Sequence, residues 1–377
     1  MSYLRNYLVK DKKITFPIYF PDATRAIVRS VDSADLAGSG VEGMVINTYH
    51  LMTQPGTTVI KAMGGVGRFM NWPGLLVSDS GGFQLLSMVY KNAALGKINK
   101  DGVIFYVNSQ GEKRKYTLTP EKSIQVQFAL GSDIVICLDD CPAAKATEAK
   151  NLLSVERTIA WAGRCKQEYL RLTKGAKKPM PKLFAVVQGG ESAELRTKCA
   201  QELIKIGFDG YCFGGWPLDE NKNLRATVKL TADLLPDDKP KFALGIGNPA
   251  AIVAGFKMGY QIFDCVLPTR DARHERLYVF AGDPEKIDLL NNPDFYEYVH
   301  ILKEQYVRDP RPISAYCDCY TCRHYSRAYL HHLFRIEDAL AWRLATIHNL
   351  RMYTKLIAVL RSSLSDPGSV QVDDPGK

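Results

Sequence analysis

Eight short apolar runs recur along the chain, each followed by a polar or glycine-rich turn, and most are separated by helix-like, amphipathic stretches. They are Phe16 to Phe20, Met44 to Ile46, Leu75 to Val77, Ile134 to Leu138, Leu183 to Val187, Tyr211 to Phe213, Phe242 to Ile246 and Ile262 to Val266. Short apolar runs alternating with amphipathic segments read as parallel strands joined by crossover helices, and eight is the number that closes a TIM (β/α)8 barrel of the α/β class. A doubly wound open sheet is the rival, yet no GxGxxG turn follows the first run. Between the third and fourth runs, Val103 to Val107 and Lys115 to Leu118 flank Gln110-Gly111 and read as a hairpin insertion. Thr119 then caps the next helix, with Pro120 at its first position.

The carboxyl ends of the runs carry the chemistry. They finish in Asn47-Thr48-Tyr49-His50, Asp79-Ser80-Gly81-Gly82-Phe83-Gln84, Asp139-Asp140, Gln188-Gly189-Gly190, Gly214-Gly215, Gly245-Ile246-Gly247 and Asp264. In a barrel these ends converge on one mouth, so carboxylates, amides and bare glycine backbone would share a pocket. Aspartates and glycines also make ordinary turns. Asp264 in Phe263-Asp264-Cys265-Val266-Leu267-Pro268-Thr269-Arg270 could equally cap a helix or pair with Arg270 or Arg273. Three aspartates at three strand ends, with Gln188 alongside, point to an acidic pocket for a planar, hydrogen-bonding ligand.

Composition bounds the class. With 46% apolar residues the chain can bury a large core, and no run approaches the roughly 20 apolar residues of a membrane span. Met1 to Lys13 is polar and charged, unlike a secretory signal. Nine dispersed cysteines, an odd number, argue against a disulfide framework and suit a reducing compartment, so a soluble cytoplasmic protein is expected. The net charge of +9, with basic clusters over 91–100, 174–178 and 270–276, suits a polyanionic partner, although such runs are also common on solvated surfaces.

A metal signal lies near the end. Cys317-x-Cys319-x-x-Cys322 places three soft ligands in one tight loop, and the helical segment after Ser326 brings His348 back as a fourth. Three thiolates and an imidazole make a closed, structural zinc site. His331 and His332 are competing donors. The expected organisation is a barrel over 1–300 with its insertion near 100–120, and a zinc-binding subdomain over 301–335. A closing helix over 336–365 and a flexible tail over 366–377 would complete the chain.

NTYHL at Asn47, DSGGFQ at Asp79, GSDIV…LDDC at Gly131 to Cys141, VVQGG at Val186, FDCVLPTR at Phe263 and CxCxxC…YSRAYLHHL…H at Cys317 to His348 occur in order. Together they resemble the tRNA-guanine transglycosylase family, over about Phe20 to Tyr353, and most closely its bacterial type. The resemblance implies a zinc-containing TIM barrel that exchanges the wobble guanine of a GUN anticodon for a 7-deazaguanine base. It implies Asp264 as the nucleophile that holds the ribose covalently and Asp79 as the general acid/base. Asp139, Gln188, the Gly215 backbone and Ser80 would bind the base, Phe83 would stack on it, and Asn47 would orient the carboxylates. Arg270 and Arg273 would meet phosphates of the tRNA anticodon loop, with a salt bridge to the pocket aspartates as the other reading. A homodimer is implied too, with Tyr325, Tyr329 and His332 at its aromatic contacts or else in helix packing. A non-catalytic RNA-binding homologue would be expected to lose one of the two catalytic aspartates, and a DNA-directed variant would keep the same barrel.

One loop departs from the family pattern. Where the bacterial type reads LAVGE after the paired glycines, this chain reads Trp216-Pro217-Leu218-Asp219-Glu220. Pro217 has no N–H, so only the Trp216 carbonyl faces an incoming base. That carbonyl and the bulk of Leu218 favour the 7-aminomethyl-7-deazaguanine precursor over queuine. The loop Asp271 to Arg276 differs as well.

Overall fold

The computed structural model describes residues 4–109 and 112–364. Gln110-Gly111 and the tail expected over 366–377 lie outside the described residues. The eight runs form strands β1 (Ile18–Pro21), β2 (Gly43–Asn47), β3 (Leu75–Asp79), β4 (Ile134–Ile136), β5 (Lys182–Val187), β6 (Gly210–Phe213), β7 (Lys241–Ala243) and β8 (Ile262–Cys265). They pair in parallel in the order β1-β8-β7-β6-β5-β4-β3-β2. The two ends of that order meet where Asp22 bridges Val45 and the Ala23 N–H donates to the Val45 carbonyl at 2.7 Å. The sheet is thus closed into the barrel that the spacing predicts.

Strand alternation sorts the side chains. Phe20, Val45, Val77, Ile136, Phe184, Val186, Cys212, Phe242 and Ile262 fill the barrel interior, while Met44, Ile46, Leu76, Val135, Ala185 and Val187 pack under the helices. Two residues beyond the inward Phe20, Val45, Val77, Val186 and Ile262 stand Asp22, Asn47, Asp79, Gln188 and Asp264. The same parity that fills the core therefore turns polar groups into the mouth.

The other end is plugged by a hairpin that sequence patterning did not single out. Asn6–Val9 pairs antiparallel with Lys12–Thr15, and Val9, Ile14 and Phe16 join the interior cluster. Lys10 and Lys12 fix it through Asp133, at 2.9 and 3.2 Å, just before β4. Three of the expected strands end early, β4 at Ile136, β7 at Ala243 and β8 at Cys265. After β7 the Ile246 N–H turns back to the Ala243 carbonyl at 3.2 Å. The insertion carries a third strand, Gly96–Asn99, beside Gly102–Ser109 and Glu112–Leu118. Thr119 caps the helix Pro120–Leu130 by accepting from the Lys122 N–H at 3.1 Å.

After β8 come a ribbon of Arg276–Phe280 with Tyr296–His300, two short helices (Tyr320–His324 and Arg327–Arg335) and the long helix Ala339–Ser363. Leu277, Val279, Val299, Leu330, Leu333 and Leu344 share a separate core there. Asn349, fully buried on the long helix, accepts from the Tyr278 N–H at 3.0 Å and donates to the Pro268 and Arg276 carbonyls at 3.0 and 3.1 Å. Among the described residues no helix is long and apolar enough to cross a membrane. Replacing Asn349 with Leu would take a hydrogen-bond partner from three backbone groups. We expect a loss on the order of 3 kcal/mol of stability, read by chemical denaturation; a loss within experimental error would show that these bonds do not hold the cap.

Candidate active site

Asp264 sits on β8 at the mouth, partly exposed, with its Oδ1 accepting the Gly245 N–H at 2.9 Å. It neither caps the following helix, Leu267–Arg273, nor forms an ion pair with Arg270 or Arg273. Asp79 ends β3 and accepts from Asn47 Nδ2 at 2.7 Å, the Thr48 N–H at 3.1 Å and the Gly81 N–H at 3.0 Å. Gly81 takes φ +76°, and a Cβ there would lie 2.8 Å from the Tyr49 nitrogen, so the turn that aims an N–H at Asp79 requires glycine. Burial pushes both carboxyls up to about 7, and the negative charge of Asp22 adds to each. Asp79 also raises Asp264, so the two titrate as neighbours at one site.

Asp139 is buried beside them. Its Oδ2 accepts from Gln188 Nε2 at 2.7 Å, its Oδ1 lies 3.4 Å from the Ser80 hydroxyl, and desolvation lifts it to about 6. Asp140 faces the other way, paired with Arg157 and accepting from the Tyr90 hydroxyl at 2.7 Å. One aspartate of the pair thus anchors the loop and the other faces the pocket. Gly214 lets the Gln188 amide pass, since a Cβ there would meet Nε2 at 2.5 Å. Gly215, partly exposed, follows at the rim.

Arg196, fully buried, ties these loops together. It donates to the carbonyls of Gly190, Val187 and Gly214 at 2.9, 3.3 and 3.1 Å, and its guanidinium lies 4.4 Å from the Phe213 ring centroid. Phe83 is 45% exposed and leans against Trp216, ring centroids 5.7 Å apart, which leaves an aromatic face open at the rim. The Trp216 indole donates to the Pro142 carbonyl at 3.0 Å. Beyond it Leu218 bridges Leu224, and the Pro217 carbonyl accepts from the Arg225 N–H at 2.9 Å. Arg270 lies 3.7 Å from Asp271, and Arg273 donates to the Thr269 carbonyl at 2.7 Å. Neither arginine pairs with Asp79, Asp139 or Asp264.

Apart from the mouth, Cys317, Cys319, Cys322 and His348 hold their ligand atoms within 4.8 Å of one another, a group that could bind a metal ion. The Cys322 and Cys319 sulfurs lie 3.3 and 3.8 Å from His348 Nδ1, against ~3.6 Å along the edge of a tetrahedral site with ordinary metal–sulfur and metal–nitrogen lengths. His348 Nε2 sits 2.8 Å from the Tyr278 carbonyl, which fixes the proton there and frees Nδ1 for a metal. The donor set fits a closed, soft-metal centre. His331 is buried in helix packing and His332 is exposed, and neither joins the group.

A family model described as queuine tRNA-ribosyltransferase matches residues 5–370. A queuine tRNA-ribosyltransferase of Thermoanaerobacter pseudethanolicus is 40% identical over 352 residues, 93% of this chain and 87% of that protein. Those of Dehalococcoides mccartyi and Syntrophobacter fumaroxidans are 39% and 37% identical, covering 93% and 92% of this chain and 83% and 86% of their own lengths. This chain belongs to the queuine tRNA-ribosyltransferase family.

Sequence reading of this family member missed Arg196, Asp22 and Asn349. Strand parity could have found Asp22, two residues past the inward Phe20. Arg196 had no signal beyond lying on an amphipathic helix. The raised carboxyls have a consequence for stability. Asp264 moves from 3.8 to about 7 on folding, so the native protein holds the extra proton between those values. Stability therefore falls as pH rises through that window and levels off above it. Asp264→Asn should gain on the parent as pH rises from about 3 to about 8 and be the more stable of the two at the upper end, measured by denaturant titration. A parent that is the more stable of the two at the higher pH would contradict this.

Proposed function

We propose that this chain is a tRNA-guanine transglycosylase of the queuosine pathway, exchanging the wobble guanine of GUN anticodons for a 7-deazaguanine through a covalent ribosyl-aspartate. The observation that carries the reading is the meeting of Asp79 and Asp264, from β3 and β8, beside the buried Asp139–Gln188 pair at one open mouth. An Asp264 oxygen attacks C1′ of the ribose, and the C1′–N9 bond breaks as the carboxylate ester forms. Asp79 gives its proton to the departing guanine. It then takes the N9 proton of the incoming base, whose nitrogen displaces Asp264 from C1′. Two inversions return the original configuration. A carboxyl held near 7 suits a group that must both give and take a proton.

Asp139 accepts paired N–H bonds from the guanine-like edge, with Gln188, Ser80 and the Gly215 backbone completing that side and Phe83 stacking on the ring. Asn47 orients Asp79 through its 2.7 Å bond. The wobble base must leave its stack to enter, while Arg270 and Arg273 take the flanking phosphates. Among the described residues no donor reaches the Trp216 carbonyl, and Pro217 has no N–H to offer in its place. Together with the bulk of Leu218, this favours the 7-aminomethyl base, whose ammonium can donate to that carbonyl. A second copy of the chain would pack on the cap, where Tyr325 and Tyr329 stack at 5.4 Å beside the exposed His332 and line a groove of about 580 Å³.

Radiolabelled guanine should enter transcripts of GUN-anticodon tRNAs, and Asp264→Asn should lower the rate by at least about a thousandfold. In competition the aminomethyl base should be incorporated about tenfold or more faster than queuine, the difference one charged hydrogen bond supplies. Label entering the Asp264→Asn reaction at the parental rate would defeat the covalent route, and queuine incorporated without the smaller base would defeat the preference.

Zinc is the metal we assign to Cys317, Cys319, Cys322 and His348, as a structural ion that fastens the cap. Elemental analysis should find about one zinc per chain, and Cys319→Ser should lose it together with several degrees of melting temperature. Full metal content in that variant would count against the site.

A further inference from the structure

Asp22 stands between the two carboxylates that the transglycosylase reading uses. It follows β1, whose Phe20 and Pro21 lie in register with Asp264 and Cys265 of β8. On its other side it bridges Val45 of β2, two residues before the Asn47 that holds Asp79. By strand parity it faces inward. Its Oδ1 accepts from the Thr24 N–H at 3.0 Å and the Thr24 hydroxyl at 2.5 Å. Among the described residues no donor reaches its Oδ2, and no Lys, Arg or His lies within ion-pair distance. Asp22 is thus a partly buried carboxylate, locked at one oxygen and open at the other.

Position around the ring says what the open oxygen meets. The base is held by groups from β4, β5 and β6, and the nucleophile rises from β8. Of the four staves left, β3 carries Asp79 and the turn after β7 gives its Gly245 N–H to Asp264, so a nucleotide joined to Asp264 at C1′ with its base toward Asp139 has its sugar beside β1 and β2. C1′ is flanked by the ring oxygen and by C2′, and C2′ carries the 2′-hydroxyl, a donor that RNA has and DNA lacks.

We infer that Asp22 accepts the 2′-hydroxyl of the exchanged nucleotide and makes this mouth select ribose over 2′-deoxyribose. The inference rests on the transglycosylase reading above and deepens it. A carboxylate there does a second thing as well, since its charge stabilises the positive sugar that forms as guanine leaves. That effect is common to both sugars and cancels when they are compared.

The test uses two anticodon stem-loops that differ only by ribose or 2′-deoxyribose at the exchanged guanosine. Guanine exchange is measured as kcat/KM for the full chain, for Asp22→Ala and for Asp22→Asn. The ribose-to-deoxyribose ratio should fall by about tenfold or more in Asp22→Ala, the size of a hydrogen bond to a charged group. It should fall less in Asp22→Asn, which keeps an acceptor oxygen. A smaller fall in Asp22→Ala, even with both rates depressed, would overturn the inference, because a merely structural aspartate lowers the two substrates alike. If Asp22→Ala is too poorly folded to assay, the ratio in Asp22→Asn decides, and an unchanged ratio overturns. Parent protein that exchanges guanine into neither stem-loop would overturn the transglycosylase reading itself, and this inference with it.

Discussion

The N–H of Ala23 reaches the carbonyl of Val45 at 2.7 Å, and that contact turns an eight-stranded parallel sheet into a closed ring. Without it β1 and β2 would be bare edges and their carboxyl ends would lie on opposite sides of an open sheet. With it, Asp22, Asn47, Asp79, Gln188 and Asp264 come from five staves to one rim, each two residues beyond a side chain that fills the interior. The hairpin of Asn6–Val9 and Lys12–Thr15 plugs the opposite end with Val9 and Ile14. Chemistry is confined to the open end by geometry alone.

Gathering carboxylates there is costly, and the way each is handled separates those paired with a cation from those held by neutral donors. Asp140 is neutralised by Arg157, and Asp309 is held well below the usual carboxylate range by Arg311 and Arg327. Among the described residues no such cation pairs with Asp79 or Asp264. They are stabilised by neutral donors, chiefly the backbone N–H groups of Thr48, Gly81 and Gly245, which leave their values near neutrality. The one deeply buried cation nearby, Arg196, spends its donors on the Val187, Gly190 and Gly214 carbonyls instead of on an acid. It ties together the loops after β5 and β6 without pairing with Asp79, Asp139 or Asp264.

The barrel was legible because parallel strands buried on both faces read as plain apolar runs, and because the ends of those runs keep their polar residues in a fixed place. Asp79, Asp139, Gln188 and Asp264 could be named from position alone, and the bunched cysteines named themselves. Choosing among His331, His332 and His348 needed the turn of two helices, since all three lie downstream at plausible separations. Asn349 and Arg196 were invisible for a different reason. Their partners are backbone carbonyls and N–H groups far away in the chain, which carry no side-chain signature. Asp22 lay in the open, but one aspartate after Phe20-Pro21 reads as a turn until the register of β1 against β8 is known. The N-terminal hairpin escaped because two four-residue strands rich in lysine give too short an alternation to register.

The cap shows how a metal bound by Cys317, Cys319, Cys322 and His348 would bear on the mouth without entering it. His348 and Asn349 are neighbours on the long helix, and they grip the two sides of one residue: His348 Nε2 meets the Tyr278 carbonyl at 2.8 Å and Asn349 Oδ1 takes the Tyr278 N–H at 3.0 Å. Asn349 also holds Pro268, four residues beyond Asp264, and the Tyr278 hydroxyl bonds Asp271 on that same short helix. A metal held by the three cysteines and His348 would therefore fix the register of the long helix, and through it the segment on which Asp264 is mounted. Because the four-ligand set would leave no place for a water, such a metal would act on the mouth by this mechanical route.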